Sequence, residues 1–143
     1  MAGELTLRVI TPQSIVLDET VGSVVVPALD GLMGILPRHA PMVAALDVGL
    51  LTCKKDGREQ TLFVSGGFAE VRGGTVRVVS EAGELPEEID EERARLAEER
   101  ARKRLDEGRR GGHEAVQIDI LRAQAALRRA LARRRAAGLR RLA

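Results

Sequence analysis

The chain has 143 residues, 44% of them apolar and 31% charged, with a formal net charge of +2. That length suits one domain, or one domain with an appendage, and the charge density excludes a chain built of membrane spans. Phe63 and Phe68 are its only aromatic residues, which argues against a base-stacking nucleic-acid module, a carbohydrate platform or an aromatic ligand cage.

Leu5, Leu7 and Val9 alternate with Thr6 and Arg8, the period of a half-buried strand, until Thr11-Pro12 breaks the pattern. Val24-Val25-Val26 is a β-branched run stopped by Pro27. Leu50-Leu51-Thr52-Cys53 leads into a turn at Asp56-Gly57, and residues 60–65 return from it. Ala69-Glu70-Val71 turns at Gly73-Gly74 into residues 75–80, where Thr75, Arg77 and Val79 alternate with Val76, Val78 and Ser80. Short strands with glycine turns, uninterrupted by helical segments, predict an antiparallel sandwich or barrel. Cys53, the single cysteine, cannot form an internal disulfide, so a reducing compartment is expected. No basic stretch followed by an apolar run opens the chain, so no signal peptide is read.

Composition changes at residues 81–85, where glycine gives way to Ala, Arg, Glu and Leu. The expected division is a β domain over 1–84 and a helical hairpin over 85–143. Pro86 suits a first helical turn, with Glu87, Glu88 and Asp90 at the end the helix dipole favours. Ile89, Leu96, Ala97, Ala101 and Leu105 make a thin apolar stripe, and Gly108, Gly111 and Gly112 end that helix. A second helix from about Glu114 carries Ile120, Ala123, Leu127, Ala130 and Leu131 on one side. Local charge is −1 over residues 1–80, −3 over 81–110 and +6 over 111–143. Alanine-rich stripes bury little area, so the pair should be marginally stable and able to exchange its internal partner for an external one.

Three blocks then carry a resemblance: Val9-Ile10-Thr11-Pro12; the run from Val26 through Asp30-Gly31-Leu32-Met33-Gly34-Ile35-Leu36-Pro37-Arg38-His39-Ala40-Pro41; and Val64-Ser65-Gly66-Gly67-Phe68-Ala69-Glu70-Val71. In that order, followed by a helical hairpin, they resemble the epsilon subunit of bacterial-type F-type ATP synthases over nearly the whole chain. The resemblance implies an N-terminal antiparallel β-sandwich that binds the rotor, followed by a regulatory two-helix antiparallel hairpin. It implies the gamma subunit and the c-subunit ring as partners, and regulation of ATP hydrolysis by up and down movement of the hairpin. It implies a non-catalytic subunit, peripheral at the cytoplasmic face of the cell membrane. Leu32 stands at the tip expected to face the c ring, where other members can carry an acidic residue, so that contact is expected to be more apolar here.

Ile89-Asp90-Glu91-Glu92-Arg93-Ala94 resembles the I/L-D-x-x-R-A pattern that binds ATP in some epsilon subunits. Asp90 and Arg93, three apart on a helix, would share one face and could offer a hydrogen-bond acceptor and a phosphate-binding fork. Glu84, Arg100, Arg129 and Arg133 also fall where the family holds its ligand. The candidate regulatory ATP site is therefore Glu84, Ile89, Asp90, Arg93, Ala94, Arg100, Arg129 and Arg133. The pattern recurs as Ile118-Asp119-Ile120-Leu121-Arg122-Ala123, and the first copy is preferred because it opens a helix and brings Glu84 and Arg100 with it. The bland alternative is a surface ion pair between Asp90 and Arg93, contributing well under about 1 kcal/mol.

No catalytic residue, catalytic cofactor or metal site is read from the chain. His39 lacks a nucleophile partner and suits a proline-flanked turn or a subunit interface; His113 suits a loop. Gly66-Gly67 and Gly73-Gly74 suit turns or bulges rather than a phosphate loop. In the extended state Arg128, Arg129, Arg133, Arg134 and Arg135 are expected to meet the acidic C-terminal region of a beta subunit. The runner-up reading, a basic-tailed nucleic-acid-binding protein, would use the +6 segment against phosphates, but no aromatic interleaves its arginines. Alanine opposite the arginines supplies too little insertion energy for a membrane-surface helix.

Overall fold

The computed structural model describes residues 3–110 and 114–139, and for 114–118 the backbone alone. Gly111, Gly112 and His113 lie outside the described residues.

Among the described residues eight strands precede two helices: β1 (Leu5–Ile10), β2 (Ile15–Val21), β3 (Ser23–Ala28), β4 (Gly31–Ile35), β5 (Met42–Lys55), β6 (Arg58–Arg72), β7 (Thr75–Val79), β8 (Gly83–Glu84), α1 (Glu91–Arg109) and α2 (Glu114–Leu139). The strands pair in the order β2-β1-β7-β6-β5-β3-β4, with β8 on β6. The expected sandwich is present, antiparallel at every pair except one: β1 and β7 run parallel, Leu7 opposite Val76. That pair joins the two ends of the domain, so no tight turn constrains its direction.

The long β5–β6 hairpin is the spine. It turns at Asp56 and Gly57, which have φ of 51° and 75°, the paired positive values of a hairpin turn that follows strand twist. Gly73 and Gly74, at 55° and 78°, close β6 onto β7 in the same way. β6 changes neighbours along its length: Phe63 and Val64 pair with β8, whereas Phe68 to Arg72 pair with β7. Gly66 and Gly67 sit at the change, and a Cβ on Gly67 would lie 1.8 Å from the carbonyl oxygen of Val79. The expected turn-or-bulge role is therefore a bend inside a strand, at a place where only glycine fits.

Leu5, Leu7, Val9, Val24, Val26, Leu51, Leu62, Val64, Val76 and Val78 fill the sandwich interior. The period of two places Leu62 and Val64 inside and Phe63 on the opposite face, where it packs with Ile89 and with Ala132, Ala136 and Ala137 of α2. Cys53 is buried, and its surroundings push the thiol up to about 11, chiefly through burial and then through the Glu19 carboxylate. His39 does order its turn: its N–H donates to Leu36 O at 3.1 Å and its Nδ1 lies 2.8 Å from Ala40 O.

Three details of the helical half differ from expectation. Residues Pro86–Glu88 form a separate 3-10 turn, and α1 starts only at Glu91 because Asp90 caps it. Within α1 the buried positions are Ala94, Glu98, Ala101 and Leu105, while Leu96 is 39% exposed. This phase turns the Glu98 carboxylate toward α2. In α2, Ala123 and Ala130 are buried as expected, whereas Leu131 is exposed and Ala132, Ala136 and Ala137 are buried instead. The helix thus serves two neighbours, α1 and the sheet.

Candidate functional site at the hairpin–sandwich junction

The chain enters α1 through Ile89, extended and buried, and Asp90, whose Oδ1 accepts the backbone N–H of Arg93 at 3.0 Å. The three-residue spacing of Asp90 and Arg93 is therefore that of an N-cap and the third helical residue, which satisfies an otherwise orphaned amide. Neither the expected shared helical face nor the side-chain ion pair is formed: Asp90 lies before the helix, and it holds the Arg93 backbone. The second copy of the pattern lies within α2.

β8 brings Glu84 beside α2. Its Oε2 accepts from Arg133 Nε at 2.9 Å, and the Arg133 guanidinium carbon lies 4.5 Å above the centre of the Phe63 ring. Between these elements is a cleft of about 340 Å³ lined by Glu84, Ile89, Asp90, Arg93, Ala94, Arg100 and Arg133. Seven of the eight sequence-predicted site residues are thus brought together. The eighth, Arg129, is half-buried on α2 and does not line the cleft.

Glu88, Ala97 and Ala130 complete the lining and were missed as site residues. Ala97 and Ala130 fall in the expected helix-pairing stripes; their lack of any atom beyond Cβ is what leaves the space. Glu88 carried no pattern of its own, and here its carboxylate accepts the Leu85 N–H at 3.4 Å. The volume falls within the range of about 300–1,000 Å³ usual for small-molecule sites. Arg93 and Arg100 are exposed, and among the described residues their side chains make no hydrogen bond or ion pair. The cleft therefore offers two uncommitted guanidinium groups, a third held in place, and the carboxylates of Glu84, Glu88 and Asp90: chemistry for a ligand with a phosphate chain and a hydrogen-bonding polar head.

Two arginines of α2 fasten it to the sandwich and a third fastens it to α1. Arg128 pairs with Asp47 of β5, Arg133 with Glu84 of β8, and Arg134 with Glu98 of α1. Hydrogen bonding from Arg128 holds the Asp47 carboxyl below its usual range against the opposing effect of burial, and Arg134, then Arg102, do the same for Glu98.

Fold and cleft together define a sandwich-and-hairpin protein with a cation-lined, ligand-sized space where its two parts meet. A family model described as the ATP synthase delta/epsilon chain beta-sandwich domain matches residues 4–86, and one for the delta/epsilon long alpha-helix domain matches 87–138. The chain belongs to the ATP synthase delta/epsilon chain family, with the bacterial epsilon chains. The ATP synthase epsilon chain of Moorella thermoacetica is 44% identical over 135 residues, covering 94% of this chain and 96% of that one. That of Symbiobacterium thermophilum is 48% identical over 136 residues, covering 94% of each. Among solved structures, a cryo-EM structure of the Euglena gracilis mitochondrial ATP synthase, OSCP/F1/c-ring, contains a chain that matches with a TM-score of 0.74 at 28% identity, covering 90% of this chain and 78% of that one.

Proposed function

We propose that this chain works in the central stalk of an F-type ATP synthase as a non-catalytic regulatory subunit, and that its cleft binds ATP as a regulatory ligand. The observation that carries the reading is the position of the cleft. Glu84 comes from the sandwich, Asp90, Arg93 and Arg100 from the cap and first half of α1, and Arg133 from α2, so one ligand there ties together the parts that must separate if the hairpin extends. ATP favours the folded hairpin to the extent that it binds that state better.

In the folded state the motor is free to hydrolyse ATP. Extended, α1 and α2 rise along the gamma subunit, and Arg128, Arg129, Arg133, Arg134 and Arg135 meet the acidic C-terminal region of a beta subunit. Arg128, Arg133 and Arg134 are paired with Asp47, Glu84 and Glu98 in the folded form, so extension exchanges internal carboxylates for external ones. The same neutralisation leaves less free positive charge for a nucleic-acid backbone, which disfavours the basic-tail alternative. The β3–β4 hairpin, with Leu29 and Leu32 65% and 76% exposed, is the surface offered to the c ring, and its contact is apolar. No described helix is long and apolar enough to cross a membrane, and the position proposed is peripheral, at the cytoplasmic face.

Melting the full chain with and without ATP tests the ligand assignment: ATP should raise the melting temperature of the wild type, and Arg93→Ala should reduce that rise. An ATP-independent melt rejects the site. Hydrolysis by the assembled complex, with and without residues 111–143 of this subunit, tests regulation; equal inhibition in both would sink it.

A further inference from the structure

The three cleft arginines are not equivalent. Arg93 and Arg100 are exposed and, among the described residues, their side chains are without partners. Arg133 is fixed at two points. Its Nε donates to Glu84 at 2.9 Å, and its guanidinium lies over the Phe63 ring. Neither of its Nη atoms makes a hydrogen bond among the described residues, so both remain for a ligand. Phe63 is fully buried, whereas the other aromatic residue, Phe68, is 39% exposed.

We infer that Phe63 is a positioning residue for the ligand: its ring face holds the Arg133 guanidinium in the plane in which both Nη atoms are offered to phosphate. This inference rests on the ATP reading above. The negative face of an aromatic ring attracts a guanidinium and also stacks with its plane, two effects that an aliphatic side chain of similar bulk does not supply. With Nε committed to Glu84, rotation about the last bonds of Arg133 is the freedom that remains, and the ring removes it. Capture of phosphate then loses less side-chain entropy than it would with a free arginine. The strand period makes this possible: Leu62 and Val64 point into the sandwich, which leaves Phe63 on the face beneath α2.

The test is a double-mutant cycle read by calorimetric titration of ATP into the full chain as wild type, Phe63→Leu, Arg133→Ala and the double variant, each checked by thermal melting. Phe63→Leu is expected to weaken ATP binding roughly fivefold to tenfold. Arg133→Ala should weaken it more, and the double variant should bind no more weakly than Arg133→Ala alone. A purely structural role for Phe63 would give additive losses, and that result, or wild-type affinity in Phe63→Leu, overturns the inference. If Phe63→Leu does not fold, Phe63→Met, which retains bulk without the ring, carries the same cycle. A wild type that takes up no ATP removes the nucleotide reading and this inference together. A wild type that binds, with Arg93→Ala weakened and Phe63→Leu unchanged, removes only the positioning role.

Discussion

Arg134 Nη1 lies 2.5 Å from Oε2 of Glu98, joining α2 to α1 through a carboxylate whose side chain is 12% exposed. Arg102, one turn along α1, reaches the other oxygen of the same carboxylate, with Nε at 3.1 Å from Oε1. Alanine contacts between the helices contribute little area, and this shared carboxylate adds a polar clamp to them. The two arginine side chains are 42% and 57% exposed, which screens each pair and tempers its strength.

Glu98→Ala should therefore weaken hairpin closure by about 1–2 kcal/mol while leaving the sandwich intact. Segment-resolved hydrogen exchange checks this. Amides of α1 and α2 should exchange faster, and those of β5 and β6 should not change. Uniform acceleration through the whole chain would refute a local clamp.

Acid should open the same clamp. The Glu98 and Asp47 carboxyls sit below their usual ranges in the folded state, held there by Arg134 and Arg128. Their contribution is complete above the unfolded carboxylate range, about pH 4–4.5, and is lost as pH falls through the depressed folded values. Helix docking should be alike at pH 7 and pH 6 and weaker near pH 3, read by circular dichroism melts. A hairpin that tightens on acidification contradicts the assignment.

Asp90 has two separable roles. As an N-cap its loss to alanine should cost about 1 kcal/mol of helix stability, and serine should restore most of that. As a proposed ligand contact, its carboxylate should not be replaceable by a hydroxyl. Asp90→Ser is expected to melt near wild type yet show a smaller ATP-induced rise in melting temperature. Full recovery of both would leave Asp90 a cap and nothing more.

Gly67→Ala tests the bend in β6. At φ +95°, with its added Cβ 1.8 Å from Val79 O, the substitution should cost about 3 kcal/mol or more. Gly57→Ala, at φ +75° with no atom within 4 Å of the added Cβ, should cost about 1 kcal/mol. Urea denaturation of the two variants gives the comparison, and equal losses would mean that backbone conformation alone matters at Gly67.

Local patterns made most strands legible: the alternation of Leu5, Leu7 and Val9, the run at Val24, and the glycine turns all reappear in the fold. β2, β4 and the two-residue β8 carry no such pattern. In β2 the apolar start gives way to Asp18, Glu19 and Thr20, and β4 is five residues containing two glycines, so neither shows a hydrophobic signal of its own; pairing with β1 and β3 makes them strands. Leu96 falls outside the buried face because a stripe of single leucines among alanines fixes helix phase weakly; Ala94, Glu98, Ala101 and Leu105 line that face instead.

The sequence by itself determined where most strands and both helices fall, which glycines turn the chain, the family to which it belongs, and seven residues that meet in one cleft. These depend on short-range spacing and on motifs. Tertiary structure alone decided that β1 runs parallel to β7, that Arg129 stands aside while Ala97 and Ala130 open the space, and that Arg133 lies on Phe63 between α2 and the sheet. The physical reason is competition among distant partners. Every arginine of α2 has the same local chemistry, and only docking determines which of them finds a carboxylate or a ring.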